Sequence, residues 1–160
     1  MNLVVEKTYD SKNDEMITKL HPRMQPLVAK FLNEVYKRKG IKLKIPSSGG
    51  LRTFQEQQDL YDKGRTKPGS IVTKAKPGSS YHNYGLAIDV YYLKLDGKID
   101  LKTTIKPEIG EIAKEIGLSW GGYWKSFKDF PHFELNLGKT SKLLALKNSG
   151  KVDEKGYVIV

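Results

Sequence analysis

Two of the three histidines in this chain have an aspartate close to them in sequence, which is the pattern of a metal site with a nearby base. A catalytic zinc ion takes three protein ligands of the His, Asp, Glu or Cys type and keeps a fourth position for water. His82, Asp89 and His132 would supply such a set. Asp129 lies three residues before the last ligand, where it could take a proton from that water. These residue types predict a metallohydrolase.

Besides a zinc site, this set of residues allows two other interpretations. In an extended segment Asp89 shares a face with Ala87 and Tyr91, and a carboxylate on an apolar strand is costly unless it is paired or bound to metal. A hydrogen bond between Asp89 and His82 without any metal would meet that requirement. Two His and one Asp also suit non-haem iron. The gap from His82 to Asp89 is longer than the two-residue gap of iron oxygenases, which favours zinc.

Further candidates surround this set. Arg52 follows a Gly-rich turn and could stabilise an oxyanion or bind a substrate carboxylate, or could be a surface arginine. Glu134 would share a face with the second histidine in an extended segment, so it competes with Asp129 as the base, and residue chemistry favours Asp129. Three aromatic residues could form a wall for a sugar-peptide substrate or belong to the core: Trp120, Tyr123 and Trp124.

Composition limits the class of protein. There are 28 Lys and Arg against 18 Asp and Glu, a net charge of +10 that attracts polyanions such as anionic wall polymers. No nucleic-acid-binding motif accompanies this charge, so we expect no nucleic acid partner. The absence of cysteine excludes disulfides and thiolate zinc sites. No apolar run approaches the roughly 20 residues of a membrane span, and the first seven residues do not resemble a signal peptide.

Local patterns predict an α+β fold, because helices and strands are interspersed without a βαβ repeat. Gly40 and Gly117 are placed to end the two amphipathic helices, Thr53 with Glu56 forms a capping box, and Asp96-Gly97 is a hairpin turn. Helices are predicted over 22–39, 53–61 and 107–116, with one more short helix in the tail 141–160. Strands are predicted over 41–45, 86–95, 98–101 and 131–137. The stretch 64–80 is a loop of a length typical of functional segments.

The order of five motifs resembles that of the zinc-dependent D-alanyl-D-alanine carboxypeptidase superfamily. The likeness is greatest to the L-alanyl-D-glutamate peptidases of phage endolysins and bacterial wall hydrolases, and it runs from about residue 20 to 137. The motifs are Gly-Leu-Arg-Thr, Glu-Gln, Gly-Arg-Thr, Ser-x-His-x-x-Gly-x-Ala-x-Asp and Asp-x-Pro-His-Phe-Glu.

The resemblance implies a role for each matching residue. It implies zinc on His82, Asp89 and His132, with Asp129 as general base and Arg52 stabilising the tetrahedral intermediate. Gln57 and Ser80 also match family positions and are expected near the substrate. The implied scaffold is a compact α+β domain of the hedgehog and D-Ala-D-Ala peptidase type, with a small antiparallel sheet and flanking helices. We expect residues 1–160 to form one such domain.

Three functions follow from the resemblance. The first is a zinc peptidase that cuts the peptidoglycan stem peptide between L-Ala and D-Glu. The second is a D-Ala-D-Ala carboxypeptidase, and the third is a zinc-stabilised wall-binding module without turnover. For the first we expect a monomeric, bacteriolytic, antimicrobial enzyme of the endolysin kind, made in a host cytoplasm and acting on the wall. The alternative is a bacterial enzyme exported by a non-classical route.

Overall fold

The computed structural model describes residues 4–160, and within them five α-helices alternate with six short β-strands. The helices are α1 (Ser11–Ile17), α2 (Gln25–Lys39), α3 (Phe54–Asp62), α4 (Pro107–Ile116) and α5 (Thr140–Asn148). The strands are β1 (Leu43–Lys44), β2 (Ala87–Asp89), β3 (Tyr91–Leu93), β4 (Ile99–Asp100), β5 (Ser119–Trp120) and β6 (His132–Glu134). The predicted α+β class is confirmed.

The strands form two antiparallel sheets, ordered β1-β3-β4 and β2-β6-β5, where one small sheet was predicted. The predicted continuous strand over 86–95 is wrong, because the chain changes sheets at Val90. The Val90 amide donates to the carbonyl of Pro131 (2.9 Å), and the strand pairing then passes from β6 to β1. The two sheets are therefore joined at the residue that follows Asp89.

Several helix ends follow their predicted local signals. Gly40 and Gly117 adopt left-handed conformations after α2 and α4, and Thr53 with Glu56 forms both hydrogen bonds of the capping box. The helix predicted from residue 22 begins instead at Gln25, with Pro26 in its first turn. Asp96-Gly97 lies in the turn between β3 and β4, as predicted. The strands predicted over 41–45 and 131–137 contain only two and three paired residues respectively.

The N-terminal helix α1 was not predicted from the sequence. Asp10 caps it by accepting hydrogen bonds from the amides of Lys12 and Asn13. The side chain of Asn13 is buried and bonds the backbone of Leu43 and Ile45, which ties α1 to β1. The helix is only seven residues long, so its stability comes from these long-range contacts rather than from periodicity.

His21, four residues before α2, is buried. Its Nε2 donates to the carbonyl of Val158 (2.8 Å), and its Nδ1 accepts from the amide of Arg23 (3.1 Å). The hydroxyl of Tyr157 donates to the carbonyl of Lys19 (2.6 Å). The C-terminal segment is thus packed against the chain that leads into α2.

Across residues 4–160, no helix has the length and apolar character that crossing a lipid bilayer requires. The prediction about a signal peptide rests on residues 1–7, of which 1–3 lie outside the described residues.

Candidate active site

His82 is held in a single 3-10 turn, Tyr81–Tyr84, that the local sequence bounds on both sides. Ser80 caps the turn by accepting a hydrogen bond from the His82 amide (3.3 Å). Gly85 ends it with φ 68°, and a Cβ there would lie 2.6 Å from the backbone nitrogen of His21. Only glycine meets both the left-handed conformation and this close approach. The two flanking residues therefore determine where the histidine ring lies.

Asp89 and His132 are brought together by strand pairing. They lie directly opposite each other in the β2–β6 register, so their side chains project from the same face of the sheet. On the other face, Ile88 and Phe133 are paired and fully buried in the core. The apolar pair fixes the register, because a slip of one residue would bury the polar face instead. Core packing thus positions two of the three predicted ligands.

The three predicted ligands form a group of donor atoms that all lie within 4.8 Å of one another. His82 Nδ1 contacts the carbonyl of Gly50 (2.9 Å), so this nitrogen carries the proton and Nε2 faces Asp89 at 3.5 Å. His132 presents its Nδ1 to the same Asp89 oxygen at 3.6 Å. One imidazole nitrogen from each histidine and one carboxylate oxygen converge here, which is a donor set that suits a divalent metal.

The surroundings shift the pKa values of Asp89 and His132 in opposite directions. Burial alone would raise the pKa of Asp89, but the imidazoles of His132 and His82 hold that pKa well below its ordinary value. For His132 burial acts in the opposite direction, and the carboxylates of Asp89 and Glu134 outweigh it and raise the pKa of His132 to about 9. The carboxylate of Asp89 is therefore ionised at neutral pH.

Glu134 is hydrogen-bonded to His132, one of the three predicted metal ligands. Its Oε2 accepts a hydrogen bond from His132 Nε2 at 2.8 Å, and both side chains are buried. The bond fixes the orientation of the ring and directs Nδ1 toward Asp89. A carboxylate in this position is typical of the residues that support a metal-binding histidine.

Asp129 lies in the same groove, and its side chain accepts no hydrogen bond from the described residues. Its backbone is held against Gly121, because the Asp129 amide donates to the Gly121 carbonyl (3.1 Å). Burial raises the pKa of Asp129, and the nearby carboxylates of Asp89 and Glu134 raise it further, against the effect of the two histidines. A half-buried carboxyl group with a raised pKa is suited to accept and return a proton.

Arg52 lines the groove, and Gln57 holds it there. Arg52 donates to Gln57 Oε1 (3.0 Å), and Gln57 Nε2 donates to the carbonyl of Ala75 (2.8 Å). Gln57 was expected near the substrate, but it is fully buried and does not line the groove. It positions Arg52 instead. Burial lowers the pKa of the Arg52 guanidinium, whereas Asp89, Glu56 and Asp129 oppose this effect. An arginine remains charged under these conditions.

The groove has a volume of about 470 Å³ and two walls. One wall comes from the long loop 64–80, which contains no helix or extended strand and includes Ser80. The other wall comes from the segment 121–130, together with β6. The loop that was predicted from its length to be functional therefore lines the groove, and Ser80 both lines the groove and caps the turn of His82.

The three aromatic residues occupy different positions. Trp124 lines the groove with its ring centroid 5.2 Å from that of His132. Tyr123 lies outside the groove, beside a neighbouring cavity, and donates a hydrogen bond to Glu111. Trp120 is only 3% exposed and packs in the core, with Nε1 donating to the carbonyl of Phe130 (2.7 Å). Of these three aromatic residues, Trp124 is therefore the one that can contact a ligand in the groove.

Sequence reasoning missed the glycines that position the site. Gly50 contributes a carbonyl to His82, and Gly121 allows the close approach of Asp129, where a Cβ would lie 2.3 Å from the Asp129 carbonyl oxygen. Neither contact involves a side chain, so residue type gives little signal for it. The Gly-Gly pairs at 49–50 and 121–122 are the one hint that backbone comes close to another group.

A groove with a His-Asp-His donor group, a separate half-buried carboxyl group and an arginine is the arrangement of a metal-dependent hydrolase. Residues 73–135 match the family model described as D-alanyl-D-alanine carboxypeptidase. The peptidoglycan L-alanyl-D-glutamate endopeptidase CwlK of Bacillus subtilis is 47% identical over 125 residues, which cover 72% of this chain and 73% of that protein. The chain therefore belongs to the D-alanyl-D-alanine carboxypeptidase family of peptidases.

Solved structures agree with this fold. The Serratia marcescens L-Ala D-Glu endopeptidase ChiX matches with a TM-score of 0.56 and 20% identity, covering 80% of this chain and 89% of that one. The vancomycin resistance D,D-pentapeptidase VanY, in complex with Zn(II), matches with a TM-score of 0.50 and 17% identity over 79% of this chain and 78% of its own. At these identities the likeness establishes the fold.

Proposed function

We propose that this peptidase uses zinc to hydrolyse the stem peptide of peptidoglycan between L-Ala and D-Glu. The observation that carries the proposal is the position of Asp129, a half-buried carboxyl group without a hydrogen-bond partner among the described residues, in one groove with three candidate metal ligands. The choice of bond rests on the 47% identity to an enzyme named for that cleavage.

The residues fit a zinc ion. His82, Asp89 and His132 provide two nitrogens and one oxygen within 4.8 Å, and a chain without cysteine has no thiolate to compete. Three protein ligands leave a position open, as in catalytic rather than structural zinc sites. When bound, zinc supplies a Lewis acid that polarises the scissile carbonyl and acidifies water.

The protein side chains carry the remaining steps. Asp129 accepts a proton from the attacking water and later donates it to the leaving amine of D-Glu, for which a raised pKa is an advantage. The Arg52 guanidinium, fixed by Gln57, stabilises the negative charge that develops on the carbonyl oxygen. Glu134 keeps the ring of His132 in one orientation throughout.

Asp129→Asn tests this proposal because it keeps the size of the side chain and removes its basicity. The variant should remain folded and bind zinc but lose most of its hydrolysis, since general-base catalysis contributes about 10²–10⁴-fold. Mass spectrometry of digested peptidoglycan should show new D-Glu amino termini with the wild type, far fewer with the variant and none after chelation. Full activity of the variant would exclude Asp129 as the base.

The same digest separates the alternative functions. Loss of terminal D-Ala alone would identify a D,D-carboxypeptidase, and salt-sensitive wall binding without new termini would identify a binding module. The place of action we propose is the cell wall, and a phage endolysin origin stays a prediction. The packing of the tail residues Tyr157 and Val158 against the body of the chain supports the proposal of one domain.

A further inference from the structure

The two walls of the groove touch through a pair of exposed residues. Lys74, which lines the groove from the loop 64–80, places its Nζ 4.5 Å from the ring centroid of Phe127, which lies between the lining residues Trp124 and Asp129 of the opposite segment. Phe127 is 82% exposed, so its ring is in contact with solvent rather than with the core. The contact is a cation–π interaction at the rim of the proposed substrate groove.

Phe127 holds an unusual backbone conformation. Its φ is 52°, and among the described residues it is the one non-glycine residue with a positive φ. A bulky residue in the left-handed region is strained, and such strain is concentrated at ligand-binding and catalytic segments. In this conformation the ring contacts the Lys74 ammonium and stays exposed to solvent.

The backbone around Lys74 is fixed from behind. The carbonyl of Ala75 accepts from the buried Gln57 (2.8 Å), and the carbonyl of Thr73 accepts from Arg65 (3.1 Å). Gln57 also holds Arg52, so one buried side chain positions both cationic residues that line the groove. The base of the Lys74 side chain is therefore anchored, whereas its ammonium can move.

The Lys74 ammonium has no acidic partner among residues 4–160. In the described part of the chain no carboxylate oxygen lies within 4.0 Å of it, although Asp89, Asp129 and Glu134 line the same groove. A cation in a ligand groove that is paired only with an aromatic ring is available to a carboxylate from outside.

The proposed substrate carries such a carboxylate close to the bond that is cut. Glutamate has two carboxyl groups, and only one of them continues the peptide, so the other remains free within a few bonds of the leaving amine. We propose that Lys74 binds this free carboxylate of D-Glu. Its ammonium then moves away from the ring of Phe127. The inference rests on the proposed function, and makes Lys74 a residue that determines specificity for an acidic rather than an amidated stem peptide.

The test uses two synthetic stem peptides that differ only in whether this group is a carboxylate or a carboxamide. Wild type should prefer the carboxylate by about 10- to 100-fold in kcat/KM, the range expected for a charge-assisted hydrogen bond. Lys74→Met should remove that preference, mainly by raising KM for the carboxylate peptide, because the contact is made before and during reaction. Lys74→Arg should keep most of it.

Lys76→Met is the matched control. Lys76 is an exposed lysine two residues away that contacts Tyr61 and does not line the groove, so its variant should behave as wild type. If Lys74→Met affects both peptides equally, or neither, the role of Lys74 is overturned. The proposal that the enzyme cuts between L-Ala and D-Glu would not be affected by that result. If wild type releases a D-Glu amino terminus from neither peptide, the proposed function and the role of Lys74 are both overturned.

Discussion

Gly121→Ala should displace the proposed base without removing it. An alanine Cβ would lie 2.3 Å from the Asp129 carbonyl oxygen and 3.1 Å from the Asp129 Cβ, whereas ordinary contact begins at 3.4 Å. The obstruction is backbone, which cannot rotate away, so the segment must retreat by about 1.1 Å. A displacement of about 1 Å at a catalytic group costs about 10²-fold in rate, which is about 2.7 kcal/mol of transition-state stabilisation.

A double-mutant cycle shows whether the loss passes through Asp129. Steady-state kcat/KM is measured for Gly121→Ala, Asp129→Asn and the double variant, with zinc content and thermal unfolding recorded for each. Because both changes would disable one group, the double variant should be about as active as Asp129→Asn alone. Multiplicative losses would mean that Gly121 acts elsewhere, and an unaffected Gly121→Ala would refute the argument from the close approach.

Two further predictions concern stability. Burial lowers the pKa of His21, and its Nδ1 accepts from Arg23 while its Nε2 donates to Val158, so the folded state holds the neutral ring. Since the unfolded pKa is about 6.5, the unfolded state binds more protons below it, and the melting temperature should fall as the pH drops through that value. His21→Gln should show a shallower dependence, and an identical slope would contradict this account. Gly85→Ala should lower the free energy of unfolding by about 1–2 kcal/mol because of the left-handed conformation alone, and a clash with the His21 backbone should add to this loss. Denaturant titration measures the change in the free energy of unfolding. Unchanged stability would count against the role of Gly85.

Local signals in the sequence were sufficient for many of the element ends. Helix α4 has the predicted bounds, and the capping box of Thr53 and the hairpin at Asp96-Gly97 formed as expected. Each of these depends on residues within one turn of each other. The division of the predicted strand 86–95 between two sheets depends instead on pairing with β6 and β1, which are distant in sequence. Alternation along one strand contains no information about which partner each half will meet.

The same distinction separates the site residues that were predicted from those that were not. His82, Asp89, His132 and Asp129 have side chains whose chemistry is recognisable from type and spacing. Lys74 does not stand out in a chain with 28 Lys and Arg, and only the groove shows that it differs from the others. Only the fold shows that Gln57, expected near the substrate, is buried, and that Trp120, left open between a substrate wall and the core, packs in the core, because burial depends on the whole fold.

Our proposal of Asp129 rather than Glu134 as the general base follows from the hydrogen bonds that each carboxylate makes. Residue chemistry alone favoured Asp129 over Glu134 but left both open. Glu134 is already engaged with His132 at 2.8 Å, so using it as a base would release the ring that it orients. Asp129 has no such partner among the described residues, and its pKa is raised. A group that must accept and return a proton should lose no structural bond in doing so, and Asp129 meets that condition whereas Glu134 does not.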